Sequence, residues 1–203
     1  MPERIIVTGQ WVDAAPTKAQ VLAGTPACLA VARIDPVKNH ALMLEACAVL
    51  AAGSDVRWHM VGGCDDPSYL TRLQAMARRL GVADRVLWHG YRPDARRFML
   101  GSAVTVLASH HEGVPRAVQE AMTLGVPTVM PKALATDLAH AGLPVTYSGG
   151  AEELARAIEY ATNIGGDVLA AAAARTGRVW SRERVLQDWN RAACMEEDAG
   201  AVV

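Results

Sequence analysis

The sequence predicts an α/β fold built on a doubly wound, Rossmann-like parallel sheet. From about residue 27, short runs that are apolar throughout alternate with segments of helical periodicity. Strands that are apolar on both faces are typical of a parallel sheet covered by helices on either side. Residues of the hydrophobic types make up 51% of the chain, enough for a sizeable core. We find no repeat or linker and predict one domain over residues 1–203, with a core at about 27–163 and a helical extension at about 164–203.

Six apolar runs are predicted to be the strands of this sheet, because each is short, apolar and bounded by glycine, proline or polar residues. They are residues 27–33, 56–63, 85–90, 103–109, 125–131 and 143–148. The glycines in VGG (61–63) indicate a turn, or a place where a ligand approaches the backbone. Sheets of this kind bind their ligands at the carboxyl ends of the strands.

Seven segments are predicted to be helices. The clearest is 66–81, where Asp66 can cap the helix, Pro67 suits its first turn and Gly81 can end it. The others are residues 38–53, 94–101, 115–124, 151–163, 166–177 and 181–196. The last three follow one another, so the chain is expected to end in a helical segment.

Charge and residue usage argue against several classes of protein. The net charge of −1 and the lack of a long single-sign run disfavour a nucleic-acid-binding face. His110 and His111 lack a third ligand at suitable spacing, so no metal site is predicted.

The cysteines have no metal-type spacing and are expected to be buried, reduced thiols: Cys28, Cys47, Cys64 and Cys194. No apolar run reaches the ~18 residues of a membrane span and no signal peptide is evident, so we expect a cytoplasmic protein.

The segment HHEGVPRAVQEAM places Glu112 just before a predicted helix and Glu120 inside it. A capping box led by Ser109 does not fit, because Pro115 would then lie within the helix instead of at its first residue. Two interpretations remain, a solvated pair of surface carboxylates and a ligand site. In the second, the free backbone N–H groups of residues 113–117 would bind an anion, and the two carboxylates would accept hydrogen bonds from polyols.

A basic pair, Arg33 and Lys38, follows the first predicted strand in the segment VARIDPVKNH. The pair is either an exposed helix start or part of the same ligand site, since both segments follow predicted strands. The chain has 17 arginines and only three lysines, Lys18, Lys38 and Lys132. Combined with the two glutamates, the basic pair predicts a ligand in which a diphosphate is flanked by two sugars.

Three longer segments carry a family resemblance. They are AVARIDPVKNHALMLEA, HMVGGCDDPSYLTRLQAMARRLGVADRVLWHGYRPDARRFMLGSAVTVLAS and HHEGVPRAVQEAMTLGVPTV. In their order and spacing they resemble the C-terminal, donor-binding half of the retaining glycosyltransferases of family four, the group 1 enzymes of GT-B fold. The resemblance covers residues 27 to about 163 and, more faintly, the last helix.

The resemblance implies a role for each candidate residue. Arg33 and Lys38 would hold the donor diphosphate, and Glu112 would lie by the donor sugar; these three would be the catalytic residues, with no covalent role for Glu112. Glu120 would bind the ribose hydroxyls. The backbone amides of one loop would face the sugar and the phosphate; this loop consists of Gly113, Val114, Pro115 and Arg116. The backbone of a predicted strand would contact the base, near Leu87 and Trp88. No metal or other cofactor is implied besides the nucleotide sugar itself.

The chain also departs from the family pattern. Ala32 stands where the family commonly has glycine, and Ala103 where it often has aspartate. The segment PKALATDLA (131–139) lacks the family's glycine-rich loop that ends in glutamate, and Asp137 is expected to substitute for that glutamate. The family's acceptor-binding N-terminal domain is not expected within these 203 residues. We expect it as a separate or absent partner that could carry any peripheral membrane association. Two further interpretations stay open: a non-catalytic nucleotide-sugar-binding or scaffold module, and a sugar-nucleotide epimerase.

Overall fold

The computed structural model describes residues 12, 16, 18–135, 138 and 144–199, with side chains up to residue 190. Within them lies a six-stranded sheet of order β3-β2-β1-β4-β5-β6, in which every pairing is parallel. The strands are β1 (Ala27–Val31), β2 (Arg57–Val61), β3 (Val86–Gly90), β4 (Val104–Val106), β5 (Thr128–Pro131) and β6 (Val145–Tyr147). The predicted doubly wound α/β fold is confirmed.

The described helices cover the two faces of this sheet. They are α1 (His40–Ala51), α2 (Pro67–Arg79), α3 (Ala95–Gly101), α4 (Arg116–Thr123), α5 (Ala151–Thr162), α6 (Gly166–Val179) and α7 (Arg182–Ala199). On one face, α1 packs between α2 and α5, and on the other α4 packs between α3 and α6. None of the described helices has the length and apolar character needed to cross a membrane.

Strand β1 shows why the strands are apolar throughout. Cys28 and Ala30 belong to the cluster that includes α1 and α5, whereas Leu29 belongs to the cluster formed with α3 and α4. Cys28 and Leu29 are both fully buried, so neighbouring residues of one strand fill opposite halves of the core. A half-exposed sheet would have produced an alternating pattern instead.

Two helix starts differ from the prediction. Pro36–Lys38 form a separate 3-10 turn, and Asn39 adopts a left-handed conformation (φ 51°), so α1 begins at His40 instead of residue 38. Helix α4 begins at Arg116, with Pro115 as its N-cap rather than its first residue. The strands are also shorter than the apolar runs, since residues such as Leu107 and Ala108 stay buried after strand pairing ends.

The cysteines follow the prediction only in part. Cys28 and Cys47 are buried, and burial raises the pKa of both thiols, that of Cys47 to about 12. Both are therefore inert, protonated core residues. Cys64 is only partly buried, and its thiol donates to the carbonyl oxygen of Asp66. The side chain of Cys194 lies outside the described residues.

Gly62 permits close packing where three strands end. A Cβ atom at this position would overlap the carbonyl oxygen of Ala32 in the loop after β1. The Gly62 N–H donates to Gly90 at the end of β3 (2.9 Å), and the Ile34 N–H donates to Gly63 (2.8 Å). The VGG segment therefore joins the loop after β1 to the ends of β2 and β3 through backbone contact.

Replacing Gly62 with alanine should destabilise the fold, because the added methyl group meets backbone that has no room to move. We expect Gly62→Ala to lower the free energy of unfolding by about 1–3 kcal/mol. Gly63→Ala is the matched control, since its nearest neighbour would lie 3.9 Å away and it should be close to neutral. Urea denaturation of the two variants measures this difference, and equal stabilities would contradict the packing described.

Buried His40, the first residue of α1, predicts that stability falls in acid. The side chain is 1% exposed and its ring nitrogens have no hydrogen-bond partner in the described structure. Burial lowers its pKa to about 4, outweighing the opposite influence of Asp35. The unfolded chain then takes up a proton that the folded chain excludes, so stability is complete above about pH 6.5 and decreases towards pH 4, by about 3 kcal/mol in total.

Denaturation series at several pH values check this expectation. His40→Leu should make stability less dependent on pH between 6.5 and 4, whereas His111→Leu, at an exposed histidine, should leave the dependence unchanged. The pKa of His89 is also lowered, by burial and then by neighbouring His59, so some dependence should remain in the His40 variant. A profile identical to wild type in His40→Leu would refute the assignment.

Candidate functional site

Two loops meet at the carboxyl edge of the sheet, where the strand order changes direction. β1 lies between β2 and β4 in the sheet. Helix α2, which follows β2, and helix α4, which follows β4, pack on opposite faces of the sheet. The loop after β1 carries Arg33 and Lys38, and the loop after β4 carries Glu112. A hydrogen bond from the His110 N–H to the Val37 carbonyl oxygen (2.8 Å) ties the two loops together. Crevices at such switch points are where open α/β sheets bind their ligands.

Lys38 and Glu112 form an ion pair at this junction. Lys38 Nζ lies 2.8 Å from Glu112 Oε1, and the side chains are only 22% and 13% exposed. The hydroxyl of buried Ser109 donates to the same carboxylate oxygen at 2.6 Å. Partial burial strengthens such a charge-assisted contact relative to an exposed pair.

The local backbone holds Lys38 in place for this contact. Asp35 caps the 3-10 turn by accepting from the Val37 N–H (2.9 Å), and the Lys38 N–H donates to the Asp35 carbonyl oxygen (3.0 Å). Pro36 stands at the first position of the turn, where its missing N–H costs nothing. The sequence IDPVKN therefore forms a rigid turn that directs Lys38 across to the neighbouring loop.

The second glutamate stands apart from this cluster. Glu120 lies in α4, is 20% exposed and pairs with Arg116 one turn earlier, at 3.4 Å. The structure thus places both predicted carboxylates at the margin of solvent and gives each its own basic partner. Neither is a freely solvated surface group.

The start of α4 offers fewer free donors than the sequence predicts. The Arg116 N–H is bonded to the Val114 carbonyl oxygen (2.8 Å), and Pro115 has no N–H. The expectation of free N–H groups throughout residues 113–117 is therefore wrong at these two positions. In the described part of the chain, the N–H groups of Gly113, Val114 and Ala117 have no backbone acceptor.

Arg33 lies at the same edge but outside the cluster. Its side chain is 64% exposed and bonded to Asp65 at 3.2 Å, with Asp35 at 4.0 Å. The structure therefore does not bring Arg33 and Lys38 together as a preformed pair. Asp65 was missed by sequence reasoning, although the acidic CDD after VGG was a visible signal.

Leu87 and Trp88 are in the middle of β3 and not at its end. Their backbones pair with His59 and Met60 of β2, and Trp88 packs partly against the core. The exposed aromatic side chain at the carboxyl end of this strand is Tyr91, which is 74% exposed. Sequence reasoning passed over Tyr91, whose position directly after the strand-ending glycine was the available signal.

The remaining features of the sequence are Asp137 and the side chains that could bind a metal ion. Asp137 lies outside the described residues, so its proposed substitution for the family's acid stays a prediction. In the described part of the chain, no group of three or more histidine, cysteine or acidic side chains is arranged to hold a metal ion.

Comparison with known proteins identifies the family. Residues 15–164 match the family model described as glycosyl transferases group 1. A Salmonella typhimurium protein named as a colanic acid biosynthesis glycosyltransferase, WcaL, is 29% identical over 95% of this chain and 49% of its own length. LpsE of Rhizobium meliloti, a lipopolysaccharide core biosynthesis glycosyltransferase, is 31% identical over 75% of this chain and 44% of its own. The chain spans about half the length of these relatives.

Solved structures share the fold. HepE of Anabaena, crystallised with UDP and glucose, superposes with a TM-score of 0.70 at 23% identity, covering 85% of this chain and 48% of HepE. TarM of S. aureus gives a TM-score of 0.77 at 19% identity, covering 93% of this chain and 39% of TarM. The fold is the Rossmann-like half of a GT-B enzyme. The chain belongs to the glycosyl transferases group 1 family.

Proposed function

We propose that this chain binds a nucleoside-diphosphate sugar and supplies the donor site for transfer of the sugar to an acceptor with retention of anomeric configuration. The observation that carries the proposal is the cluster of Lys38, Glu112 and Ser109 at the switch point of a group 1 fold. It combines a cation, a carboxylate and a hydroxyl where such sheets bind ligands. The relatives named for colanic acid and lipopolysaccharide synthesis support a role in polysaccharide or glycoconjugate assembly.

The diphosphate would lie against Lys38, Arg33 and the start of α4. An ammonium group has three donors, so Lys38 can bind phosphate without releasing Glu112. Arg33 is exposed and has donors besides the one directed at Asp65. The N–H groups of Gly113 and Val114 add neutral donors from the loop before the helix.

These groups would act most strongly as the donor bond breaks. Negative charge grows on the departing diphosphate, and fixed donors that meet it are worth roughly 2.7–4 kcal/mol each in comparable oxyanion sites. Two cations and a helix start can stabilise this charge, so we propose that no metal is required. Glu112 is bonded to Lys38 and Ser109, which favours a role in positioning the sugar over a covalent one.

The nucleoside would extend towards α4 and β3. Glu120 would accept hydrogen bonds from the ribose hydroxyls while its carboxylate stays paired with Arg116. β3 is an edge strand of the described sheet, so one side of the backbone at Leu87 and Trp88 has no neighbouring strand and can face the base. The exposed ring of Tyr91 offers a stacking surface beside it.

The partner of this chain would be an acceptor-binding domain. The curated relatives are about twice as long, which supports a second domain that faces the donor site across a cleft. Such a domain, in the same or another chain, would carry any peripheral contact with a membrane. We place the protein in the cytoplasm, where nucleotide sugars are made. The half-length match also supports a second candidate, a module that binds nucleotide sugars without catalysis.

Binding of UDP should be independent of metal and should depend on Glu120. We expect heat of binding in calorimetry with UDP, GDP or ADP that is unchanged by EDTA. Glu120→Ala should weaken nucleoside-diphosphate binding by about tenfold or more, because a charge-assisted hydrogen bond contributes about 1.5–3 kcal/mol. Inorganic pyrophosphate, which has no ribose, should lose little.

Glu159→Ala, at an exposed glutamate of α5, is the control and should bind all ligands as wild type does. An equal loss for pyrophosphate and UDP in Glu120→Ala would reject the ribose assignment. Failure of every nucleoside diphosphate to bind, or binding only with a divalent cation, would reject the proposed site.

The isolated chain should bind donor but transfer no sugar. Positioning an acceptor hydroxyl beside the anomeric carbon accounts for some 7–11 kcal/mol of barrier, and the facing domain would provide it. Fusion to the amino-terminal half of a full-length relative should restore transfer, and Lys38→Ala should abolish it again. Product formation is measured across a panel of nucleotide sugars and acceptors.

Lys18→Ala is the matched lysine control and should leave the restored transfer intact. Multiple turnovers by the 203-residue chain alone, lost in Lys38→Ala, would show that no second domain is needed. Donor binding with no transfer in any fusion would favour the non-catalytic module.

A further inference from the structure

A cleft of about 340 Å³ opens beside the Lys38–Glu112 pair, towards β5 and β6. Its polar lining comes from Asn39, Ser109, His110, Lys132, Tyr147 and Ser148. Ser109 and His110 belong to the loop that also carries Glu112, and the Ser109 hydroxyl is bonded to that carboxylate. The cleft therefore borders the place proposed for the donor sugar through the shared segment of Ser109 and His110.

The lining of this cleft is rich in donors and contains no carboxylate among the described residues. Lys132 is exposed, and its side chain has no salt-bridge or hydrogen-bond partner within the described part of the chain. In this respect it differs from Lys38 and Arg33, each of which has a carboxylate beside it. A cation without a partner at the wall of a cleft attracts a negatively charged group from a ligand.

Two described carboxylates, on the segments that border the cleft, are bonded to other groups. Glu112 is already bonded to Lys38 and to Ser109. Glu153 accepts from the Ser148 N–H (3.1 Å) and lines a separate groove on the other side of residues 148–150. Neither carboxylate lines the cleft, so Lys132 is the charged side chain of its lining among the described residues.

The hydroxyl of Tyr147 provides a second, independent observation. Tyr147 lines the cleft, yet its hydroxyl is buried and has no hydrogen-bond partner in the described structure. Burial raises the pKa of this phenol, so the group stays protonated and remains a donor. A buried donor without an acceptor is costly, and a ligand oxygen that displaced the atoms covering the hydroxyl would relieve that cost.

We propose that this cleft takes the carboxylate of an acidic donor sugar, a hexuronic acid, with Lys132 as its counterion. The inference rests on the proposed function, because the donor is placed beside Glu112. A carboxylate fits better than a phosphate, since its single charge is balanced by one lysine. Its second oxygen can accept from a neutral donor such as Tyr147 or Ser148.

Calorimetry with matched donors tests the proposal. UDP-glucose and UDP-glucuronic acid form one pair, GDP-mannose and GDP-mannuronic acid a second, and UDP and GDP alone measure nucleotide binding. We expect wild type to bind a hexuronic acid donor at least tenfold more tightly than its neutral partner. Lys132→Met should remove this preference while leaving UDP and GDP binding unchanged, and Lys18→Met should behave as wild type.

The outcomes separate this inference from the proposed function. UDP or GDP binding without a preference for acidic sugars, or a preference that survives in Lys132→Met, would overturn the inference and leave the donor site standing. If no nucleoside diphosphate binds, free glucuronate and glucose are compared by amide NMR shifts at Ser148 and Gly149. Shifts with glucuronate alone that disappear in Lys132→Met would support the anionic cleft, and equal or absent shifts would overturn it.

Discussion

The ion pair between Lys38 and Glu112 is the interaction on which the candidate site depends. It joins the loop after β1 to the loop after β4, and the hydrogen bond from His110 to Val37 reinforces the connection. Removing either partner would leave a mostly buried charge without compensation, which is far costlier than losing an exposed pair. The pair therefore sets the width of the crevice as well as its charge.

The strand order explains why these two loops can meet. Residues 31 and 107 are far apart in sequence, but β1 and β4 are neighbours because the chain crosses back over β1 after β3. Both strands run in the same direction, so both loops emerge at the same edge. Gly62 adds the third loop by letting the backbone after β2 approach Ala32. The crevice is thus a product of topology, and the side chains supply its chemistry.

Much of this arrangement could be predicted from the sequence, and the remainder depends on contacts between distant residues. Apolar runs and helix caps such as Asp66 predicted the six strands and seven α-helices, because burial and capping are local properties of the chain. The same reasoning placed Lys38 and Glu112 at one edge but could not show that they touch across 74 residues. The contact between Arg33 and Asp65 likewise joins distant residues, since it forms only when the loops after β1 and β2 pack together.

Local errors had local causes. Asn39 adopts a left-handed conformation that delays α1, and no periodicity reveals a single residue of this kind. The Ser109–Glu112 spacing resembled a capping box, and the two side chains do meet, but as donor and carboxylate in a loop without a helix. The residue types were informative at both places, whereas their roles were decided by the backbone.

Three cations around the proposed donor site are each held beside a carboxylate, two of them assigned to the diphosphate and the third, Arg116, at the start of α4. The pairs are Lys38 with Glu112, Arg33 with Asp65, and Arg116 with Glu120. A diphosphate that binds Lys38 and Arg33 shares these cations with their carboxylates, and a carboxylate whose ion pair is weakened in this way gains from a further hydrogen-bond donor. Inorganic pyrophosphate has few donors to offer, whereas a nucleotide sugar carries hydroxyl groups on both sides of its diphosphate. The pairing of each cation with a carboxylate therefore favours a ligand that supplies phosphate and polyol together over simple anions, which have no hydroxyl groups to offer the glutamates.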